Sequence, residues 1–396
     1  MKIKSSVILV ALLIFGSGVY AQNNQSPENP SKNAAETLLQ SDSKLSIGGY
    51  AQIDFNKPIN ENQYSNSKLD IHRLVLLFGY RFSEKTNFVT EIELEHVKEV
   101  YVEQAFLNHE ILPWLNFRGG LMLVPMGIVN EYHEPPTYNG VERPNLDSKI
   151  IPTTWREIGM GITGTLDNVS LKYQLYVMNG FNGYDGGGKF RGTDGYRKGR
   201  QKGAESFMSS PTLATKIDYY GIPGLKLGLS TYNGKSQSSL YNGLDKNDQA
   251  GIAKADSSVI GISMLGIDAR YKKGGFEARG QFTFAHNKNT DEYNELTGKD
   301  MGSEMLGWYI ETGYDLLFNA ETDQRLVPFI RYEKYNTHAK TEGSLAINKA
   351  LDRTDVTVGA GWWLTSGAVL KADYQFFSNA ADNSNGQFNM GIGIWF

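Results

Sequence analysis

Residues that could carry catalytic or metal chemistry are scattered along this sequence. Its six histidines form no His-Glu-x-x-His motif, no Gly-x-Ser-x-Gly motif occurs, and there is no cysteine. The most regular set of carboxylates is Glu91, Glu93 and Glu95. Such a stripe can bind a divalent cation through oxygen ligands, but it also fits the polar face of a strand that lines water. The sequence therefore predicts no catalytic residue, no metal site and no cofactor, and we expect a protein that is not an enzyme.

Repeated β-strands are the elements that carry these side chains. In one run, Leu171, Leu175 and Val177 alternate with Lys172 and Gln174, so one face is apolar and the other polar. The pattern recurs in about sixteen runs, each near the length of a strand in an outer-membrane barrel. The predicted strands are Leu45–Phe55, Lys68–Phe82, Asn87–His96, Val100–His109, Leu115–Val124, Glu157–Leu166, Val169–Met178, Thr212–Tyr220, Leu225–Tyr232, Ser258–Tyr271, Phe276–Ala285, Glu304–Leu317, Arg325–Tyr335, Arg353–Leu364, Ala368–Phe377 and Gln387–Phe396.

The connections between these strands alternate between short and long. Residues 83–85, 112–113 and 167–168 are short turns, whereas residues 125–156 and 179–211 are long loops. Bacterial outer-membrane barrels have short periplasmic turns and long extracellular loops, and a soluble sandwich has no reason to separate its loops in this way. We therefore predict an all-β fold, a transmembrane antiparallel β-barrel of about sixteen strands whose apolar face contacts outer-membrane lipid.

Three regions follow from the composition. Residues 1–21 read as a secretory signal peptide, with Lys2 and Lys4 before a short apolar core; the alternative, a membrane anchor, would need about 20 apolar residues. Residues 22–44 are polar and predict a periplasmic leader with little fold of its own, apart from a weak helix signal from Ala34 to Gln40, and residues 45–396 form the barrel. A secreted barrel indicates the outer membrane of a Gram-negative bacterium, and a formal net charge of -4 does not suggest a nucleic-acid partner.

The predicted number of strands bears directly on function, because a barrel of about 16 strands encloses an aqueous channel. We expect a porin through which small hydrophilic or charged solutes diffuse passively, with inorganic anions such as phosphate as one candidate class. The alternative is a plugged barrel that acts as an adhesin or a structural protein. Residues 125–156 contain five prolines, and we predict that this loop folds into the lumen and narrows it. The alternative for the loop is an external surface position.

Four segments carry a resemblance to a known family. They are Phe117-Arg118-Gly119-Gly120-Leu121, Pro125-Met126-Gly127, residues 132–136 and the terminal Ile392-Gly393-Ile394-Trp395-Phe396. Together with the predicted organisation from Leu45 to Phe396, they resemble the phosphate-selective porin O and P family of sixteen-stranded outer-membrane porins. The resemblance implies homotrimers, passive diffusion, and an anion preference that comes from a basic constriction.

The candidate pore-lining residues come from strand parity and from the long loop. Parity places both signs of charge on the lumen wall, so the wall is mixed rather than basic. We expect arginines of the early strands to face acidic residues of the long loop across a constriction, where such charges tune ion preference. The alternative is that these charges only solvate the lumen and pair with neighbours. The candidates are Arg73, Arg81, Arg118, Glu131, Glu134, Glu142, Arg143, Lys149 and Arg156.

A basic run lies in the second long loop, residues 179–211. Its members are Arg191, Arg197, Lys198, Arg200 and Lys202. An extracellular basic run can concentrate anions at a pore mouth, or bind anionic lipopolysaccharide. We interpret it as a solvated loop.

Two of the predicted strands depart from clean alternation. Asp70 and His72 share parity with Leu74 and Leu76, which should face lipid, so they lie beyond the membrane band or a bulge shifts the register. In the run Val100–His109 neither parity is cleanly apolar.

Overall fold

The computed structural model describes residues 33–60 and 64–396. The predicted signal peptide, residues 1–21, and the first part of the predicted leader, residues 22–32, lie outside the described residues. Within the described part, sixteen antiparallel strands close into one barrel, in which the first strand pairs with both the second and the last. The strands are β1 (Leu45–Ile59), β2 (Lys68–Arg81), β3 (Thr86–Glu95), β4 (Glu99–Leu112), β5 (Leu115–Leu123), β6 (Arg156–Leu166), β7 (Leu171–Met178), β8 (Thr212–Ile222), β9 (Leu225–Lys235), β10 (Gly261–Lys273), β11 (Phe276–Lys288), β12 (Glu304–Tyr314), β13 (Arg325–Lys340), β14 (Asp352–Thr365), β15 (Ala368–Asn379) and β16 (Ser384–Trp395).

Alternation of side chains explains why these segments form a barrel wall. In β16, Met390 is 50% exposed on the outer face, whereas Asn389 is 0% exposed on the inner face. In β7, Leu175 and Val177 point outward and Gln174 is buried inside. An outward apolar band around a polar interior is what a bilayer requires of a barrel. Each predicted strand overlaps one observed strand, so the predicted fold class is confirmed.

The two ends of the barrel differ in their connections. At one end the strands are joined by short turns, such as residues 113–114 and 223–224; we call this the turn end. At the opposite end, the loop end, longer connections such as residues 179–211 carry most of the irregular structure. None of the helices in the described residues is long and apolar enough to cross a bilayer. The helices are α1 (Ala34–Leu39), α2 (Leu146–Lys149), α3 (Gln249–Ser257) and α4 (Thr290–Thr297), with 3-10 turns at Pro135–Thr137, Asp167–Val169, Arg197–Gly199, Ser239–Tyr241 and Lys349–Leu351. Outside the barrel, Asn182–Tyr184 and Gln237–Ser238 form a small parallel pair.

Two β-bulges account for the strands whose alternation was unclear. In β2 the register against β1 skips His72, so that the exposed Ile71 and Leu74 both face outward and Arg73 points inward. Of the two explanations for Asp70 and His72, the bulge is therefore correct. In β4 the register against β3 skips one residue in the same way. An extra residue in one strand reverses the parity of all that follow.

The loop between β5 and β6 fills the middle of the barrel. It comprises residues 124–155, close to the predicted loop 125–156, and we call it the third loop. Wall carboxylates accept hydrogen bonds from its backbone: Glu333 from the N–H groups of Asn145 and Leu146, at 2.9 and 2.6 Å, and Asp373 from the N–H of Val141, at 2.6 Å. Because buried backbone groups must be paired, these bonds fix the course of the loop inside the barrel.

A lysine of the wall binds carbonyl oxygens of the same loop. The Lys371 Nζ donates to the carbonyl oxygens of Pro135, Tyr138 and Gly140, at 2.6, 2.5 and 2.9 Å. One buried ammonium group thus uses all three of its donors on the third loop.

The segment before β1 also enters the barrel. Asn33 caps α1 through a reciprocal capping box with Glu36, and the buried N–H of Ala34 donates to Glu134 Oε1 of the third loop at 2.6 Å. Glu36 forms an ion pair with Lys172 on the wall. The described part of the predicted leader, residues 33–44, is therefore not a segment without fold: its cap and its buried alanines hold a short helix in the lumen at the turn end.

Replacement of Lys371 should loosen the third loop. In Lys371→Met the three carbonyls lose a charged donor, and hydrogen bonds to charged groups contribute about 1.5–3 kcal/mol each. We expect the barrel to form and the third loop to become cleavable by proteinase K in detergent. Lys334→Met is the matched control, because Lys334 is an exposed lysine of β13 that does not contact this loop. An unchanged cleavage pattern in Lys371→Met would contradict this account of how the loop is held.

Candidate functional site: a cationic vestibule at the loop end

A cavity of about 450 Å³ opens at the loop end of the barrel, between the third loop and the wall strands near β2 and β3. We call it the vestibule. Polar and charged side chains dominate its lining, and cations outnumber carboxylates by seven to three. The cations are Lys68, Arg73, Arg143, Arg156, Arg197, Arg200 and Lys202, and the carboxylates are Glu93, Glu95 and Glu142.

Wall strands supply one group of these cations. The bulge at His72 turns Arg73 into the lumen, where its Nη1 lies 3.6 Å from Glu93 Oε1. Arg156, the first residue of β6, is buried with its Nη1 3.7 Å from Glu103 Oε1. Both guanidinium groups are therefore held beside carboxylates of β3 and β4, which fixes them at the wall of the vestibule.

The third loop contributes a residue pair of opposite charge. Arg143 donates from Nη2 to the carbonyl oxygen of His133 at 3.1 Å, a bond within the loop. Glu142 accepts from Asn56 Nδ2 of β1 at 2.9 Å. These bonds position one cation and one carboxylate of the third loop against the vestibule.

The loop between β7 and β8, residues 179–211, supplies the remaining cations; we call it the fourth loop. Arg197 Nη1 donates to the carbonyl oxygen of Thr153 at 2.8 Å, and Arg200 Nη1 donates to those of Thr153 and Thr154 at 3.0 and 3.2 Å. Lys202 Nζ lies 4.4 Å from the centre of the Tyr101 ring. The interpretation of the basic run as solvated is wrong for Arg197 and Arg200, because carbonyls of the third loop bind their guanidinium groups at the vestibule. Lys202 lines the same cavity.

The other members of the basic run do not reach the vestibule. Arg191 forms an ion pair with Asp194 within the fourth loop, and Lys198 is exposed. A single stretch of sequence thus divides between half-buried residues at the vestibule and residues that do not reach it.

The vestibule concentrates positive charge in a chain whose formal net charge is -4. Among the described residues, Arg143, Arg197, Arg200 and Lys202 form no ion pair with a carboxylate. Burial, and then the neighbouring Arg197 and Arg156 guanidinium groups, lower the pKa of Arg200 to about 9. Burial and the same repulsion from Arg200 and Arg156 lower the pKa of Lys202. A bound anion would relieve this repulsion, because an opposite charge favours the charged form of each cation.

The remaining sequence-predicted residues lie elsewhere. Arg81 and Arg118 line a second cavity of about 450 Å³ at the turn end, where Arg81 Nη1 is 3.1 Å from Asp42 Oδ1. Arg81 shares this cavity with no third-loop carboxylate, whereas Arg118 also lines a small cavity together with Glu131 of the third loop. A third cavity of about 340 Å³, lined by cations including Arg270 and Arg279, also lies at the turn end.

Two predicted acids of the third loop hold that loop in place. Glu131 pairs with Lys216 Nζ at 2.6 Å and accepts from Gln174 Nε2 at 2.6 Å, and Glu134 accepts from α1. Lys149 ends α2 beneath the fourth loop, where burial and then Arg353 lower its pKa. These three residues act within the packing of the loops, and none of them lines the vestibule.

Comparison with known proteins gives the fold and the family separately. No family model matches the chain. Among solved structures, the outer membrane channel DcaP of Acinetobacter baumannii covers 89% of this chain and 97% of its own at a TM-score of 0.57 and 10% identity. Salmonella typhi OmpF in complex with daunomycin gives the same coverages and TM-score at 14% identity. An anion-selective porin from Comamonas acidovorans covers 89% and 99% at a TM-score of 0.54 and 12% identity. The fold is therefore that of the sixteen-stranded outer-membrane porins.

Sequence similarity points to one curated relative. An uncharacterized protein of Aquifex aeolicus strain VF5 is 31% identical over 360 residues, which are 86% of this chain and 77% of the relative. Similarity over that length covers most of the chain rather than one motif. The chain belongs to the same protein family as this Aquifex aeolicus protein.

Proposed function

We propose that this protein is a porin of the Gram-negative outer membrane that lets small hydrophilic solutes, and anions in particular, diffuse passively. The observation that carries the proposal is the excess of seven cations over three carboxylates in the vestibule. A cleft lined by one sign of charge raises the local concentration of the opposite ion, and rings of charged side chains tune the preference of a pore. Inorganic phosphate is one candidate, because guanidinium groups match its oxygens with paired donors.

The orientation follows from the two ends of the barrel. In outer-membrane barrels the short turns face the periplasm, so the loop end and its vestibule would face the outside of the cell. A solute would then meet the vestibule first and the turn-end cavities last. As the resemblance to the phosphate-selective porin O and P family implies, we also propose that the porin is a homotrimer.

A second candidate, a plugged barrel that acts as an adhesin or a structural protein, has one observation in its favour. The vestibule shares no lining residue with either turn-end cavity. The third loop and α1 lie between them, bound to the wall by hydrogen bonds and ion pairs. Conductance separates the two candidates, because a plugged barrel passes no current.

The porin proposal predicts an ion preference. In a planar bilayer under a KCl gradient, we expect the purified protein to give a reversal potential that favours chloride, and added phosphate to reduce the current. Lys202→Glu should lower the chloride-to-potassium permeability ratio by roughly a factor of two or more, because it changes the net charge of the vestibule side chains from four positive to two.

Lys198→Glu is the matched control for that prediction. It makes the same charge change in the same loop at an exposed residue outside the vestibule, so it should leave the ratio close to that of the unmodified protein. A reversal potential at zero or favouring potassium in the unmodified protein would contradict the anion preference and leave a general porin. A complete lack of channel events would overturn the porin proposal in favour of the plugged barrel.

The porin proposal also predicts that α1 obstructs the flow of ions at the turn end. Glu36→Lys places a cation beside Lys172 and should release α1 from the wall, so that single-channel conductance rises. Thr37→Lys changes the exposed side of the same helix and should conduct like the unmodified protein. Equal conductance in the two variants would mean that α1 does not limit the flow of ions.

A further inference from the structure

Three ligating side chains from separate elements converge inside the barrel. Glu91 comes from β3, Glu103 from β4 and His133 from the third loop, and each is at most 2% exposed. The bulge in β4 turns Glu103 into the lumen beside Gln104. His133 Nε2 lies 3.4 Å from Glu103 Oε2 and 3.6 Å from Glu91 Oε1. The third loop therefore approaches the wall here through an imidazole aimed between two carboxylates.

These separations are too long for hydrogen bonds between charged groups, which measure about 2.7–2.9 Å. His133 Nε2 has no hydrogen-bond partner among the described residues, although it is fully enclosed. Ligands held at about 2.0–2.1 Å from a tetrahedral Zn²⁺ lie about 3.3–3.4 Å from one another. The two separations from His133 are close to that spacing, so this geometry fits ligands around a metal ion.

The residues around the cluster also fit a metal site. His133 Nδ1 lies 3.3 Å from the carbonyl oxygen of Asn130, the kind of outer contact that orients a metal-bound imidazole. The Tyr50 hydroxyl lies 2.9 Å from Glu91 Oε1 and 2.9 Å from Glu103 Oε2, the same two oxygens that face His133. A hydroxyl has one proton and can donate to only one of them at a time. Its oxygen is thus a candidate for a fourth ligand position.

We propose that Glu91, Glu103 and His133 bind a Zn²⁺ ion that fastens the third loop to the barrel wall. Imidazole nitrogen together with carboxylate oxygen is a donor set that suits Zn²⁺. Arg156 lies beside Oε1 of Glu103, whereas Oε2 of Glu103 and Oε1 of Glu91 face His133 and are the oxygens available to a metal ion. The proposal goes beyond conduction and holds whichever solute passes the barrel.

The experiment measures Zn²⁺ binding by the folded full-length protein in detergent. The protein is stripped with EDTA, dialysed, and titrated with ZnCl₂ in a calorimeter, and retained metal is counted by mass spectrometry after gel filtration. We expect about one Zn²⁺ per chain, as a site with three protein ligands from one chain binds. Absence of both heat and retained Zn²⁺ would overturn the proposal and mean that a protonated His133 joins the two carboxylates.

Variants test the ligand set. Glu103→Gln and His133→Gln should each weaken Zn²⁺ binding at least tenfold, since even outer-shell changes cost about 10–100-fold in affinity. Glu95→Gln is the matched control, because it removes a carboxylate from the same strand as Glu91 outside the cluster. Undiminished affinity in Glu103→Gln and His133→Gln would also overturn the proposal.

Folding and function are controlled separately. Heat-modifiable migration on gels shows whether each variant forms the barrel. If a variant does not fold, the number of Zn²⁺ ions bound per chain of the unmodified protein still tests the proposal. Addition of EDTA should make the third loop more cleavable by proteinase K, and Zn²⁺ should restore its protection. Since these measurements involve no membrane current, a failure of the porin proposal leaves their outcome unaffected.

Discussion

The need to pair buried backbone groups inside the barrel governs much of this structure. The third loop crosses a lumen that would otherwise hold water, and it lacks a sheet or a long helix to satisfy its own N–H and C=O groups. The wall supplies the partners: Glu333 and Asp373 accept from the loop, and Lys371 donates to it. Charged side chains of the lumen therefore serve packing as well as electrostatics, and this double use explains why many of them are enclosed.

The charged side chains of the lumen fall into two groups. Some hold the third loop in place, and others remain available to a solute. Glu131 and Glu134 are bound to Lys216 and to α1. Arg197 and Arg200 donate hydrogen bonds to carbonyl oxygens, and neither forms an ion pair with a carboxylate in the described part of the chain. The vestibule is positive although the chain as a whole is acidic, because these third-loop acids are used in packing elsewhere and the fourth loop contributes cations to its lining.

The barrel could be predicted from the sequence because a strand between lipid and water must alternate with a period of two. Leu175 and Gln174 illustrate the rule, and the terminal strand repeats it. Parity failed where an extra residue enters a strand: the bulge in β4 brings Glu103 inside, and the irregular alternation of Val100–His109 marked the strand but not the position of the bulge. The prolines of the third loop indicated a restrained loop, but its partners are hundreds of residues away along the chain. The sequence identified the basic run but not which of its members bind the third loop. The hydrogen bonds from Arg197 and Arg200 to the carbonyl oxygens of Thr153 and Thr154 identify them.

The position of the third loop has a consequence for the order of assembly. The loop follows β5, yet its wall partners Glu333, Lys371 and Asp373 belong to β13 and β15, up to 236 residues further along the chain. The loop cannot reach its final course until the second half of the barrel has been built around it. Contacts of such long sequence separation form late, because a large loss of chain entropy precedes them. The third loop therefore takes its final course late in folding, after the last strands have closed the barrel.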